Sequence, residues 1–252
     1  MAEALYGGHR RAIRGDDVSL LFNYLLLHQW GLPAQGASEG RPTDTHNQFW
    51  HQKALTTASY RDGGSPNNDT MYSVAWAYVG EEPMVLITPD MDVEDRYWTI
   101  QIASYSSDNF AYVGTRTTGQ KGGAYVITPP GWKGTLPDGV THLAEAPTKW
   151  IFLLGRTLVK GDVDVKNVHK IPEKYRLVAL SDFGKDNPPR AAAPQVANLS
   201  PKLTELFRAK GGMGNVLKQV TKESPVEFLR LATESMKQGG IPEKEREIFK
   251  AS

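Results

Sequence analysis

The stretch Arg96-Tyr97-Trp98-Thr99-Ile100-Gln101-Ile102 decides the fold class, because its side chains change character at every step. Tyr97, Thr99 and Gln101 fall on one side, joined further on by Tyr105, while Arg96, Trp98, Ile100 and Ile102 share the other. That period of two is a β-strand with one apolar and one polar-aromatic face. Working outward, runs of the same kind recur over 70–79, 84–87, 110–117, 124–127 and 150–159, all rich in β-branched and aromatic residues. Pro83, Pro89, Pro129, Pro130 and Pro137 lie in the gaps between them, where a missing N–H costs no ladder bond. Short strands at this spacing predict an antiparallel β-sandwich core.

The flanks read differently. Val18, Leu20, Leu21, Tyr24, Leu25 and Leu27 follow helical spacing behind the Asp16-Asp17 pair, which predicts an N-terminal helix over 16–30. Residues 31–68 have no sustained period and predict an irregular passage. From Leu199 the apolar spacing becomes helical again, interrupted at Gly211-Gly212 and Gly239-Gly240. The expected class is therefore mainly β with flanking helices, an α+β chain. It divides into an N-terminal segment 1–68, a sandwich core 69–185, and a Pro/Ala-rich linker with C-terminal helices over 186–252, all within one domain overall.

Composition narrows the function. The chain has 252 residues, and its net charge of +1 comes from 29 basic and 28 acidic side chains spread along it. No basic field exists to attract nucleic acid. The longest apolar run, Trp150 to Leu154, is far short of the roughly 20 residues a membrane helix needs, so no membrane span is expected. The segment 1–17 lacks the apolar core of a signal peptide. With no cysteine, disulfides, zinc–thiolate sites and thiol catalysis are excluded. Cytoplasm fits this pattern, and so does periplasm if a leader was removed.

Three stretches hold candidate chemistry. In Ser65-Pro66-Asn67-Asn68-Asp69-Thr70, consecutive Asn and Asp side chains can fold onto local amides as an Asx turn opening a strand. The alternative places Asp69 at a sheet rim beside Asn67 and Asn68, as a general base or a ligand for hydroxyls or a cation. Tyr72 and Trp76 then follow on one strand face. The second stretch is the polar-aromatic face of Tyr97, Gln101 and Tyr105, suited to orienting a small ligand if it lines a pocket and otherwise simply wet. The third runs from Phe110 to Gly119, with Phe110, Tyr112 and Arg116 on one face. There the arginine could clamp a substrate carboxylate or close an internal salt bridge. Arg156 shares a strand face with Trp150, Phe152 and Leu154. A partner is expected for its charge, and Asp69 is the candidate.

Weaker signals resolve to structure. The acidic run of Asp90, Asp92, Glu94 and Asp95 lacks the glycine and terminal Glu of a calcium loop and reads as a solvated turn. Gly119 to Gly123 lacks P-loop spacing and reads as a hairpin. The six histidines are dispersed, so no metal is expected, and no motif names a cofactor. No Gly-x-Ser-x-Gly elbow is present.

These blocks have a family likeness. Pro66-Asn67-Asn68-Asp69-Thr70 with Tyr72-Ser73 and Ala75-Trp76, Arg96-Tyr97-Trp98 with Gln101, Phe110 through Gly119, and Gly155-Arg156-Thr157-Leu158-Val159 resemble the bacterial domain-of-unknown-function family DUF1254. The resemblance implies a β-sandwich flanked by helices, usually followed by a companion β domain, DUF1214, which this sequence does not include, so that the companion is expected as a separate subunit, or as dispensable, or as lying beyond this sequence. Members often carry an acid where this chain has Ala77-Tyr78 and Ala103-Ser104, which leaves Asp69 as the best remaining acid.

Three functions are compatible with this reading. The leading one is an enzyme, a hydrolase or lyase among the options, acting on a small polar or carboxylated molecule. Asp69 would be its catalytic base, Arg116 or Arg156 its anion clamp, and Tyr72, Tyr97 and Tyr105 its orienting hydroxyls. Asn67, Asn68, Trp76, Gln101 and Tyr112 would complete the cleft. The second is a non-catalytic subunit that binds a small ligand on the same face. The third is an assembly role, with a second copy or a companion-domain subunit as partner.

Overall fold

The structure, a computed structural model, describes residues 46–58, 66–194, 200–208, 216, 218–220 and 225–240. The helix expected over 16–30 lies outside the described residues. The expected β core is present, in two sheets. Strands β1 (Trp50–His51), β2 (Thr70–Tyr78), β8 (Trp150–Leu158), β4 (Trp98–Ser104) and β5 (Asn109–Gly114) form one sheet in the order β1-β2-β8-β4-β5. The second has the order β7-β6-β3-β9, from β3 (Met84–Thr88), β6 (Gly123–Thr128), β7 (Thr141–Glu145) and β9 (Arg176–Ala179).

Alternation along the strands builds the core between these sheets. Ala75, Ala77, Trp98, Ile100, Ile102, Ile151 and Leu153 face Met84, Leu86, Tyr125, Ile127 and Leu177 of the second sheet. The opposite side of the first sheet is apolar only toward one end. Beyond the short helix α1 (Val165–His169) in the chain, helices α2 (Pro201–Arg208) and α3 (Pro225–Gly239) pack there on Val74, Trp76, Trp150, Phe152 and Tyr105 through Leu203 and Leu231, joined by Val216 and Val220. The C-terminal helices thus cover half of a sheet face. The half that carries Thr99, Gln101 and Tyr112 has no helix packed on it among the described residues, while Tyr72 and Leu154 border the covered cluster.

Three differences from the sequence reading have physical causes. The residues 119–123 do not form a hairpin, because β5 and β6 belong to different sheets and the chain crosses between layers there. Asp90 fixes that crossing, its carboxylate accepting the Gly122 N–H at 2.7 Å and pairing with Lys121. The sheets are not wholly antiparallel, since β7 runs parallel to β6. Phe110 and Tyr112 do not share a face, because the β4–β5 pairing shifts register between Ile102 and Ala103. Phe110 consequently packs toward the intersheet core while Tyr112 stands exposed.

Two buried polar groups tie distant segments. The Asn47 amide donates to the carbonyls of Ala191 and Ala192 at 3.0 and 2.8 Å and accepts the Tyr78 N–H at 2.7 Å. Arg96, fully enclosed, is bound by the carboxylates of Asp92 and Asp164 and by the Leu158 carbonyl. Both acids hold its charge, which pushes its pKa further up, and the guanidinium in turn holds Asp164 down at about 2.

Candidate functional site

The uncovered half of the first sheet is built by register. The β2–β8 ladder sets Tyr72 opposite Arg156, and the β8–β4 ladder sets Arg156 opposite Thr99 and Leu154 opposite Gln101. Gln101 faces Tyr112 across β4–β5. Directly opposed side chains on one face stand within contact reach, so residues 11 to 84 positions apart in sequence become neighbours.

Arg156 is the centre of this face. Its guanidinium carbon lies 5.7 Å from the centre of the Tyr72 ring, and Nη1 donates to the Gln101 side-chain oxygen at 3.2 Å. Gln101 is itself oriented, its amide donating to Asn109 Oδ1 at 2.7 Å. Tyr72 is held at both ends. Its N–H donates to Gln52 Oε1 at 3.2 Å, and its hydroxyl accepts the Asn67 N–H at 2.9 Å. The expected pairing of Arg156 with Asp69 does not occur. No carboxylate contacts Arg156 among the described residues, and a neutral amide and a ring face take the acid's place.

Arg116 repeats the arrangement at the rim. It is exposed, with its guanidinium 5.8 Å from the centre of the Tyr97 ring, and no salt bridge forms to it among the described residues. Tyr97 is in phase with Thr99 and Gln101, and out of phase with the buried Trp98. The turn that presents Arg116 is tight: the N–H groups of Thr117, Thr118 and Gly119 all donate to the Gly114 carbonyl.

The Asn/Asp turn takes its bland form. Asn67 Oδ1 accepts from the N–H of Asp69 at 3.3 Å, the N–H of Thr70 at 3.0 Å and the Thr70 hydroxyl at 2.8 Å. The organising residue is therefore Asn67 and not the acid. Asp69 and Asn68 are exposed, and Asp69 is one residue out of phase with Tyr72.

Two other candidates belong to packing. Trp76 is fully buried beneath the helices, edge-on to Tyr105 at 5.9 Å and tilted against Phe152 at 5.0 Å between ring centres, with no partner for its indole N–H among the described residues. Tyr105 is likewise fully buried, and its hydroxyl meets Ser235 of α3. Sequence reasoning missed Gln52 because it lies in an aperiodic stretch, and Asn109 because only its place beside Gln101 across the ladder reveals its role.

The acidic run is engaged locally, with Asp92 on Arg96 and Asp95 on Lys160. Among the described residues no group of three His, Asp or Glu could hold a metal ion. No described helix is long and apolar enough to cross a membrane.

Fold and face together define a two-layer β-sandwich with one sheet face half sealed by helices and, among the described residues, half open, the open half carrying arginine–tyrosine pairs. The chain belongs to the family described as Protein of unknown function (DUF1254), whose model matches residues 46–179. Its fold is similar to that of the VPA0106 protein of Vibrio parahaemolyticus, with a TM-score of 0.52 at 23 % identity, over 88 % of this chain and 56 % of that one. An uncharacterised protein from Burkholderia cenocepacia matches at a TM-score of 0.33 and 15 % identity, over 83 % and 49 % of the two chains, too distant to bear on the site. The chain thus spans about half the length of these solved structures. No curated protein matches it.

Proposed function

We propose that the open half of the first sheet binds a small carboxylated molecule without transforming it, with Arg156 as the anchor. One observation carries this reading: Arg156 is a half-buried guanidinium oriented by the Gln101 amide and the Tyr72 ring, with no acid beside it among the described residues. A guanidinium has five N–H donors in a planar fork. Gln101 uses one of them, which leaves an edge suited to donating two parallel bonds to a carboxylate. The ring below steadies the cation by roughly 0.5–1 kcal/mol and fixes its plane. Arg116 over Tyr97 supplies a second cation at the rim.

The catalytic alternative has less support. A general base needs reach to the bound molecule and a tuned environment. Asp69 is exposed and out of phase with Tyr72, and Asn67 takes the organising role in the turn.

The test is isothermal titration with a panel of mono- and dicarboxylates. A shallow face with one anchor should bind at about millimolar affinity, near −4 kcal/mol. Arg156→Lys should lose about tenfold, because a point charge cannot replace the fork, and Arg156→Gln should lose binding altogether. Equal binding by wild type and Arg156→Gln would refute the assignment. Turnover of any bound acid that depends on Asp69 would restore the enzyme reading.

A further inference from the structure

A second concavity lies at the other sheet, lined by none of the residues around Arg156. It is an open groove of about 490 Å³ lined by Glu82 and Pro83 before β3, Leu180 and Ser181 after β9, and Trp132, Thr135, Leu136 and Pro137 from the β6–β7 loop. We propose that this groove binds a neutral sugar ring, with Trp132 as the stacking platform and Glu82 as the acceptor for its hydroxyls.

The loop holds its tryptophan in place. Gly131 N–H donates to the Glu145 carboxylate at 3.0 Å, and Trp132 N–H closes a turn on the Pro129 carbonyl at 3.3 Å. The indole lies over Gly134, in the space where a Cβ would stand, so residue 134 must be glycine for the ring to lie there. Backbone therefore supports the ring, which spends little conformational entropy when a ligand stacks on it. Glu82 is positioned by the Ser181 N–H, which donates to Oε2 at 3.1 Å. Its other oxygen has no protein donor among the described residues.

The chemistry of the lining selects the ligand class. An apolar floor of Pro83, Leu136, Pro137 and Leu180 beside an aromatic ring suits the C–H face of a pyranose. A carboxylate oxygen and the hydroxyls of Thr135 and Ser181 suit its O–H edge. Glu82 disfavours an anion. A single ring gives neither the successive aromatic slots of a polyproline groove nor the several rings of a quaternary-ammonium cage.

Saturation-transfer NMR with methyl glucoside, galactoside and mannoside at about 20 mM, well above a millimolar dissociation constant, tests this. Transfer to ring C–H protons of at least one glycoside is expected, and it should vanish in Trp132→Ala. Gly134→Ala, an exposed change that displaces the indole, should lose most of the signal with the melting temperature kept, and Glu82→Ala should weaken it several-fold. The proposal fails if no glycoside shows transfer, if transfer is undiminished in Trp132→Ala and Gly134→Ala, or if only tetramethylammonium or a proline-rich peptide binds at this groove.

Discussion

Arg96, two residues before β4, and Arg156, on the neighbouring β8, meet opposite fates. In the sequence Arg96 reads only as a member of the apolar face of its strand, and Arg156 as a charge on a core strand in need of an acid. The structure supplies acids only to Arg96, which sits between Asp92 and Asp164. Asp92 alone still holds Arg96 through two bonds in Asp164→Asn, so that change should cost about 1–3 kcal/mol in urea unfolding, whereas Arg156→Gln, on the open face, should cost under about 1 kcal/mol. Comparable losses would show that Arg156 is structural. His51 gives a pH signature. Burial, aided by the Arg176 charge, lowers its pKa to about 4 from an ordinary 6.5, and its ring nitrogen Nδ1 lies 3.0 Å from the Ser73 hydroxyl. Below pH 6.5 the unfolded chain takes a proton that the folded chain refuses until about pH 4. Stability contributed by the neutral ring is therefore full above pH 6.5 and declines across that window, by roughly 3 kcal/mol in all. His51→Gln should flatten the slope there. Asp164, held down at about 2, adds a second decline only below its ordinary 3.8, which His51→Gln should leave intact.

Among the elements, those with a clean alternation were legible: β2, β4 and β8 carry long runs of β-branched and aromatic residues, and their expected bounds agree to within two residues. The missed strands are short or supported from outside. β1 has two residues, β9 has four, and β7 reads Thr-His-Leu-Ala-Glu, with little β-propensity of its own beside its parallel partner. The crossing at 119–123 was misread because turn residues announce a reversal without saying which sheet the next strand joins. One element-scale requirement concerns Gly114 at the end of β5. Its φ of 148° lies in the range that favours glycine, and the backbone of Trp98 and Thr99 occupies the place of a Cβ. Gly114→Ala should cost at least about 2 kcal/mol and move Arg116 off the Tyr97 ring. A melting curve and the Tyr97 ring resonances check both parts, and a neutral outcome would show that the turn adapts.

At the scale of the whole molecule, the division of one sheet face into a covered and an open half rests on the C-terminal helices. Trp76 and Trp150 are fully buried beneath them, and each such ring removes about 150–250 Å² from water, worth roughly 4–6 kcal/mol at most. Truncation after Pro194 should red-shift tryptophan emission and drive association through the bared face, while unchanged emission would mean that the sandwich seals itself. The apolar pattern beyond Leu199 announced these helices, but not that they would cover Trp76 and Tyr105. Likewise the polar face of β4 was legible, and its meeting with Tyr72 and Arg156 was not, because only the long-range β2–β8–β4 ladder sets it. The measurement that bears most directly on the anchoring role is NMR observation of the Arg156 Nε–Hε group, assigned through Arg156→Lys, during titration with a small carboxylate. A saturable downfield shift, with the Tyr72 ring signals following the same midpoint, is the expected result. An Arg156 signal that stays fixed while the carboxylate binds elsewhere, or does not bind at all, would contradict it.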